Sequence, residues 1–278
     1  MLLIQYGQKG IDMAEIKVMS FNLRIEAEMD GINILTNRKG RILDAVYKEK
    51  PDLIGFQEAE DDTREWLRRS LAEYTVIGCG RDHGYVGESA PLAFRNDRFE
   101  MVGMELFWLS DHPDTPGTKY EGSDQSECCR MASAVILKPK ESAELLLFLN
   151  THTDHVGKRA RSLASAQLTE YIAKKRLPCI LTGDFNAIPT SEEIKMITSR
   201  EDIALVDITS NIEGTYHGFG RFFTEPRLVE RFGGKGMKID YIFTNLRADA
   251  ERSYAVEDKH EGGIFISDHY PIVAFVEI

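Results

Sequence analysis

One stretch constrains this chain more than any other: Cys179-Ile180-Leu181-Thr182-Gly183-Asp184-Phe185-Asn186, closed by Pro189. Its apolar start reads as a β-strand buried on both faces, which asks for cover on both sides of the sheet that holds it. The strand is expected to stop at Gly183, with Asp184 and Asn186, two apart, pointing the same way off the sheet's end. Thr190 or Ser191 ahead of Glu192 and Glu193 then reads as a helix start with acids in its first turn. A carboxylate beside a carboxamide at a strand end suits a metal-bound phosphate. The acid can hold or deprotonate a water, and the amide can donate to an oxyanion. Gly-Asp-x-Asn is equally ordinary turn chemistry, because Asp and Asn bond their own backbone. Alone, the stretch leaves turn and site open.

The remaining pattern alternates strands with helices and then runs strand after strand. Strands are expected at Ile16–Phe21, Asp52–Phe56, Tyr74–Cys79, Pro91–Arg95, Val102–Trp108, Ser133–Leu137, Leu145–Asn150, Ile239–Thr244, Ser253–Val256 and Pro271–Val276. Helical spacing covers Ile34 to Val46, closed by Lys50-Pro51, then Arg64 to Leu71, and then Lys158 to Lys175 with Leu163, Ala166, Gln167 and Ile172 presented together. The connections Ser110–Arg130 and Asn211–Lys238 read as loops. This rhythm predicts an α/β (α+β) fold: a four-layer α/β/β/α sandwich of two packed mixed β-sheets with helices on the outer faces. No repeat or linker-like shift divides the 278 residues, so 13–278 are expected to form a single domain, and 1–12 a disordered leader.

A net charge of −11 weighs against tight, non-specific binding of long nucleic acid. Phosphate substrates stay in play, since a divalent cation in an acidic pocket presents positive charge locally. The four cysteines lack zinc-type spacing and suggest free thiols. With no signal-peptide core and no membrane-spanning run, a cytoplasmic monomer is expected, without membrane contact.

Several strands end in polar residues: Asn22, Glu58, His152, and Asp268-His269, while Asp240 opens Ile239-Asp240-Tyr241. Each has a dull explanation as a cap, a solvated face or a turn. Together they supply hard oxygen ligands, two histidines and carboxylates to orient them. Six segments, Ser20-Phe21-Asn22, Gly55-Phe56-Gln57-Glu58, Asn150-Thr151-His152, Gly183-Asp184-Phe185-Asn186, Ile239-Asp240-Tyr241 and Ser267-Asp268-His269, stand in the order of a known family. The sequence resembles the endonuclease/exonuclease/phosphatase superfamily from Val18 to Val276, nearest its bacterial members related to the nocturnin-like branch.

That resemblance implies a phosphoesterase using Mg²⁺, or Mn²⁺, with Glu58 as main metal ligand and Asn22 and Asp268 close to the metal. It implies that Asp184 orients or deprotonates the attacking water and that Asn186 donates to a phosphate oxygen. His269 would contact the phosphate, held by Asp240, with His152 as second histidine and Glu88 behind it. Arg130 would bind substrate phosphate. A phosphodiester of a nucleotide or short single-stranded nucleic acid is the first expectation. The alternatives are a phosphorylated sugar, inositol or lipid head group, or a non-catalytic binding relative. In the loop after Gly214, the basic residues Arg221, Arg227, Arg231, Lys235 and Lys238 stand among Tyr216, His217, Phe219, Phe222 and Phe223. Such a mixture can pair phosphate and stack bases; a solvated, partly packed loop is the alternative.

Overall fold

The computed structural model describes residues 14–257 and 263–278; the expected leader at 1–12 lies outside them. In chain order the elements begin β1 (Glu15–Asn22), α1 (Leu35–Glu49), β2 (Leu53–Gln57), α2 (Asp61–Ser70), β3 (Tyr74–Ile77) and β4 (Leu92–Arg95). The middle of the chain gives β5 (Phe99–Trp108), β6 (Met131–Pro139), β7 (Leu146–His152), α3 (Lys158–Lys175), β8 (Cys179–Asp184), α4 (Glu192–Thr198) and β9 (Val206–Asp207). Two short helices, α5 (Arg221–Thr224) and α6 (Pro226–Phe232), precede β10 (Asp240–Thr244), β11 (Arg247–Ala248), β12 (Tyr254–Ala255) and β13 (Ile272–Glu277). Among the described residues they form two mixed sheets. One runs β11-β13-β1-β2-β4-β3 with β12 on β13, the other β5-β6-β7-β8-β10-β9.

Strand alternation sorts the apolar side chains into three layers. Ile16, Val18, Phe148, Ile180 and Ile242 pack between the sheets. Met19, Phe21, Ile54 and Phe56 face the other way, against Leu35, Ile42 and Val46 of α1 and Leu67 of α2. Leu147, Leu149, Leu181 and Phe243 face α3 and α4. Three apolar layers between four structural ones make the α/β/β/α sandwich that the sequence predicts.

The Asn211–Lys238 connection, read as a loop, holds α5 and α6, and further details depart from the sequence expectation. β8 does not stop at Gly183 but runs through Asp184. Gly183 pairs with Thr151 on one side and Tyr241 on the other, and a Cβ there would lie 2.6 Å from the Thr151 carbonyl oxygen. The glycine therefore permits close strand approach rather than a break. β7 likewise continues past Asn150 to His152. The buried stripe of α3 is Ala160, Ala164, Leu168 and Ile172, whereas Leu163 is exposed. Spacing by four with two alanines lets that helix lie close on the sheet.

Asn150 ties the sheets together from within. Its Nδ2 donates to the carbonyls of Phe56 (2.6 Å) and Pro91 (2.9 Å) in the opposite sheet. Its Oδ1 accepts from Gln57 Nε2 (2.7 Å) and Thr182 Oγ1 (3.0 Å). Gly55 leaves room for this bridge, since a Cβ there would lie 2.1 Å from Thr182 Oγ1.

Candidate active site

The parity that puts Ile180 and Phe148 between the sheets also puts Asp184 and His152 there, at the strands' last residues. Register completes the rim: His152 stands beside Asp184 in the parallel β7–β8 pair, and Asp240 stands opposite Asp184 in the antiparallel β10–β8 pair. From the other sheet, Asn22 ends β1 beside Gln57, and Glu58 follows. Asp268 and His269 arrive just before β13. The Ser267 hydroxyl donates to the Asn22 carbonyl (2.7 Å), which fixes that approach. Glu58, His152, Asp184, Asp268 and His269 line one cleft of about 340 Å³, with Asn22 and Asp240 bonded directly behind them.

Asp184 sits at its centre. Oδ1 accepts the Asn186 amide N–H (2.9 Å) and Oδ2 accepts Asn22 Nδ2 (3.0 Å). The same Oδ2 lies 3.6 Å from His152 Nε2 and 3.8 Å from His269 Nε2. Burial, with the Asp240 charge next, pushes its carboxyl up to about 7. Asn186 is not a strand residue, contrary to the extended spacing expected. It has φ of 48° and curls back onto Asp184, so both side chains face the cleft by a turn rather than by alternation. The turn is what brings both side chains to the cleft.

His269 Nδ1 lies 2.8 Å from Asp240 Oδ2. Burial disfavours the imidazolium, but Asp240, Asp268 and Asp184 outweigh it and raise the group to about 10. The Tyr216 ring packs on this imidazole, with centroids 4.8 Å apart. His152 is the opposite case: burial first, then the Arg130 charge, hold it well below the usual histidine range. Asn186 Nδ2 donates to the Thr153 carbonyl (3.2 Å) and to His152 Nε2 (3.0 Å). The first bond sets the amide's orientation, so His152 Nε2 accepts and its proton lies on Nδ1. That nitrogen faces Glu88 Oε1 at 3.5 Å.

Glu58 has φ of 57° and Arg24 φ of 58°, both in the left-handed region that costs a side-chain-bearing residue energy and clusters at working sites. Glu58 Oε1 accepts from Asn22 Nδ2 (3.1 Å) and Oε2 from the Ile25 amide (3.1 Å). Arg24 lies 3.9 Å from both Glu58 and Asp268 and is itself bonded to Asp30. Burial raises Asp268 to about 6; His269 and Arg24 oppose that, whereas Glu58 adds to it.

A family model described as the endonuclease/exonuclease/phosphatase family matches residues 19–269. The chain belongs to that family. Endonuclease/exonuclease/phosphatase proteins act on phosphate esters, and this chain is an enzyme of that kind. A family protein from Bacteroides vulgatus superposes with a TM-score of 0.85 at 29% identity, covering 95% of this chain and 99% of that one. A mannosyl-6-phosphatase from Bacteroides thetaiotaomicron gives 0.78 at 28% identity, with 94% and 99% covered. The human nocturnin catalytic domain shares the fold, at 0.68 and 20% identity over 95% of each chain. No curated protein sequence matches the chain.

Endonuclease/exonuclease/phosphatase enzymes generally use a divalent metal, and the donor set here fits one. Glu58, Asp268 and Asp184 offer hard carboxylate oxygens; burial comes first in raising Asp184 and Asp268, and the Glu58 charge adds to both, so a cation there would offset both. Asp184, Asp240 and His269 also bring ligand atoms within 4.8 Å of one another, but His269 Nδ1 is already committed to Asp240.

Every residue named from sequence for the site reaches this cleft or bonds to one that does. Arg24, Arg81 and His155, which also line it, were missed as site residues. Arg24 carried one signal, an even offset from Asn22; Arg81 and His155 sit in loops whose course no local pattern reveals. In the basic–aromatic loop the contacts support the alternative reading, a partly packed loop. Lys238 is buried and donates to Thr209 Oγ1 (2.9 Å), Arg221 pairs with Glu225, and Lys235 pairs with Glu213. His217 packs among Phe223, Phe265 and Tyr270.

Proposed function

We propose that the chain is a divalent-metal-dependent phosphoesterase in which Asp184 takes a proton from the attacking water. The observation that carries this reading is the meeting of Asp184, His269 and Glu58, far apart in sequence, in one cleft. Burial and the Asp240 charge raise the Asp184 carboxyl, which strengthens it as a base, and a nearby cation would keep it ionised at neutral pH. His269, kept charged by Asp240, presents Nε2–H to a phosphoryl oxygen and offsets negative charge as the pentacovalent state forms. Asn186 adds a second donor once a phosphate oxygen replaces His152 Nε2 as its acceptor. Mg²⁺ or Mn²⁺, held by Glu58 with Asp268 and Asn22 close by, supplies Lewis-acid charge at the phosphate. In this reading residues 13–278 act as one unit, since the core layers draw on both halves of the chain, and the enzyme works as a cytoplasmic monomer.

The cleft volume suits a small molecule or a strand end rather than a duplex. The sequence pointed first to a nucleotide or short nucleic-acid diester. A phosphorylated sugar is favoured by two observations: most basic residues of the 214–238 loop are paired or buried away from the cleft, and the 28%-identical relative is a mannosyl-6-phosphatase. The test is turnover of p-nitrophenyl phosphate, bis(p-nitrophenyl) phosphate, nucleotides and hexose phosphates with Mg²⁺, before and after exhaustive chelation. Full activity after chelation overturns the metal requirement, and no turnover of any phosphate ester overturns the reading.

A further inference from the structure

The cleft has a second pole, away from its acids. Arg81 and Arg130 are 8% and 4% exposed, and both line the cleft with Glu88, His152 and His155. Glu88 Oε1 is shared three ways. It is bonded to Arg81 Nη1 and lies 3.8 Å from Arg130 Nη1 and 3.5 Å from His152 Nδ1. One carboxylate oxygen cannot satisfy three donor groups, and Arg130 is the one left short. Its Nε and Nη1 have no hydrogen-bond acceptor although they are buried. The nearest other acid, Asp154 at 3.7 Å from Nε, already accepts from Ser126, Val156 and Gly157. A buried guanidinium with unmet N–H groups is costly unless something completes it.

The remaining contact of Arg130 satisfies only its third nitrogen, Nη2. Nη2 lies 2.9 Å from His155 Nδ1. A guanidinium only donates, so His155 Nδ1 accepts and its proton sits on Nε2, at the exposed mouth. The wall is also rigid. Arg81 N–H donates to the Glu88 carbonyl (2.9 Å), while the Trp108 indole and the Gly117 amide donate to the Arg81 carbonyl. Gly80 is fixed in kind, since a Cβ there would lie 2.0 Å from the Val86 carbonyl carbon. Trp108, Cys129 and Met131 form the apolar cluster of this region, so the basic pole is backed by packed core.

We infer that Arg81, joined through Glu88 to the Arg130 for which the family resemblance already implies phosphate binding, extends that contact into an oxyanion subsite that reads the unesterified oxygens of a terminal phosphate, and so selects a phosphomonoester. This rests on the phosphoesterase reading above. Planar guanidinium forks match a tetrahedral oxyanion in bidentate fashion. A monoester offers three unsubstituted oxygens, enough to meet His269 and Asn186 on one side and the arginine wall on the other. A diester offers two, and its second arm must turn away from a closed wall. Arg81 is thereby a specificity-determining residue.

The test uses the full chain, with Arg81→Met and Arg81→Lys, folding being checked by circular dichroism and by Tm without ligand. Two readouts are taken. The first is the rise in Tm with inorganic phosphate in the presence of chelator, which needs no turnover. The second is kcat/KM with Mg²⁺ on p-nitrophenyl phosphate against bis(p-nitrophenyl) phosphate. The expected result is a wild-type preference for the monoester, a roughly tenfold fall in that preference in Arg81→Met through KM, and loss of the phosphate-induced Tm rise. Arg81→Lys should restore part of both. A wild-type preference for the diester, or a preference and Tm response unchanged in Arg81→Met, overturns the subsite. An adventitious ion only, raising Tm equally in wild type and Arg81→Met, does the same. Should Arg81→Met not fold, Arg81→Lys and phosphate competition in the wild type decide by the same criteria. Absence of turnover on both esters sinks the phosphoesterase reading instead, and the Tm readout still judges the subsite.

Discussion

Asp240 need not touch a substrate to control the group that does. It holds His269 Nδ1 at 2.8 Å and is the first of the carboxylates that raise this imidazole to about 10. A group whose pKa is raised stays protonated to higher pH, so activity that needs the imidazolium falls only as pH climbs through that value. Asp240→Asn keeps a hydrogen-bond partner but removes the charge. It is expected to move the basic limb of the kcat–pH profile toward neutrality, and an unmoved limb counts against the assignment. The acid limb belongs to Asp184, which must be ionised; burial raises its carboxyl and a bound cation opposes that rise, so the limb is expected on the acid side of neutrality with metal bound. Asp184→Ala or His269→Ala is expected to lower kcat by roughly 10²–10⁴-fold or more at unchanged far-UV circular dichroism. Near-normal turnover in either removes the role proposed for it.

At the scale of elements, loops are held by carboxylates as firmly as strands are held by ladders. Asp154 follows β7 and accepts the amides of Gly157 (2.6 Å), Val156 (3.0 Å) and Ser126 (3.2 Å). It thereby joins the start of α3 to the long loop before β6. Burial alone would raise its carboxyl, but these donors and the Ser126 hydroxyl win and hold it at about 2. A depressed acid stabilises the fold above its unfolded pKa and loses that contribution as pH falls through the folded value. Asp154→Asn is therefore expected to lower Tm at pH 7 and to flatten its fall between pH 4 and 2, as calorimetry can measure. Gly55→Ala, whose new methyl would press on Thr182 and on Asn150 Oδ1 at 2.3 Å, should cost about 1–3 kcal/mol by denaturant titration.

Most strands, and the site residues at their ends, could be read from sequence because alternation and terminal polarity are local. The end of β8 was misjudged because a glycine reads as a break when only its neighbours in sequence are visible; its reason is the Thr151 carbonyl across the ladder. Arg24, Arg81 and His155 escaped because an isolated charge outside a motif looks like any solvated residue. Their orientation is set by partners distant in the chain, Asp268 for Arg24 among them. Lys238 failed in the other direction: its cation is enclosed by Thr209 and the Asp240 carbonyl, which nothing in a loop's composition announces.

On the scale of the whole molecule, Glu58, Asp268 and Asn22 approach the rim from the ends of β2, β13 and β1 in one sheet, so a cation held by them ties together segments far apart in the chain. Mg²⁺ is expected to raise Tm in proportion to the logarithm of its excess over Kd, and chelation to lower Tm and abolish turnover. Scanning calorimetry with titrated Mg²⁺ checks the first, and a Tm indifferent to the ion argues against Glu58 and Asp268 as ligands. Asn150, meanwhile, grips Phe56 and Pro91 from the facing sheet with a single amide. Sliding one sheet over the other would strand those groups without water to replace them. The aperture of the catalytic mouth is therefore a fixed gauge: these jaws do not hinge, and whatever opens to admit substrate or release product must be loop.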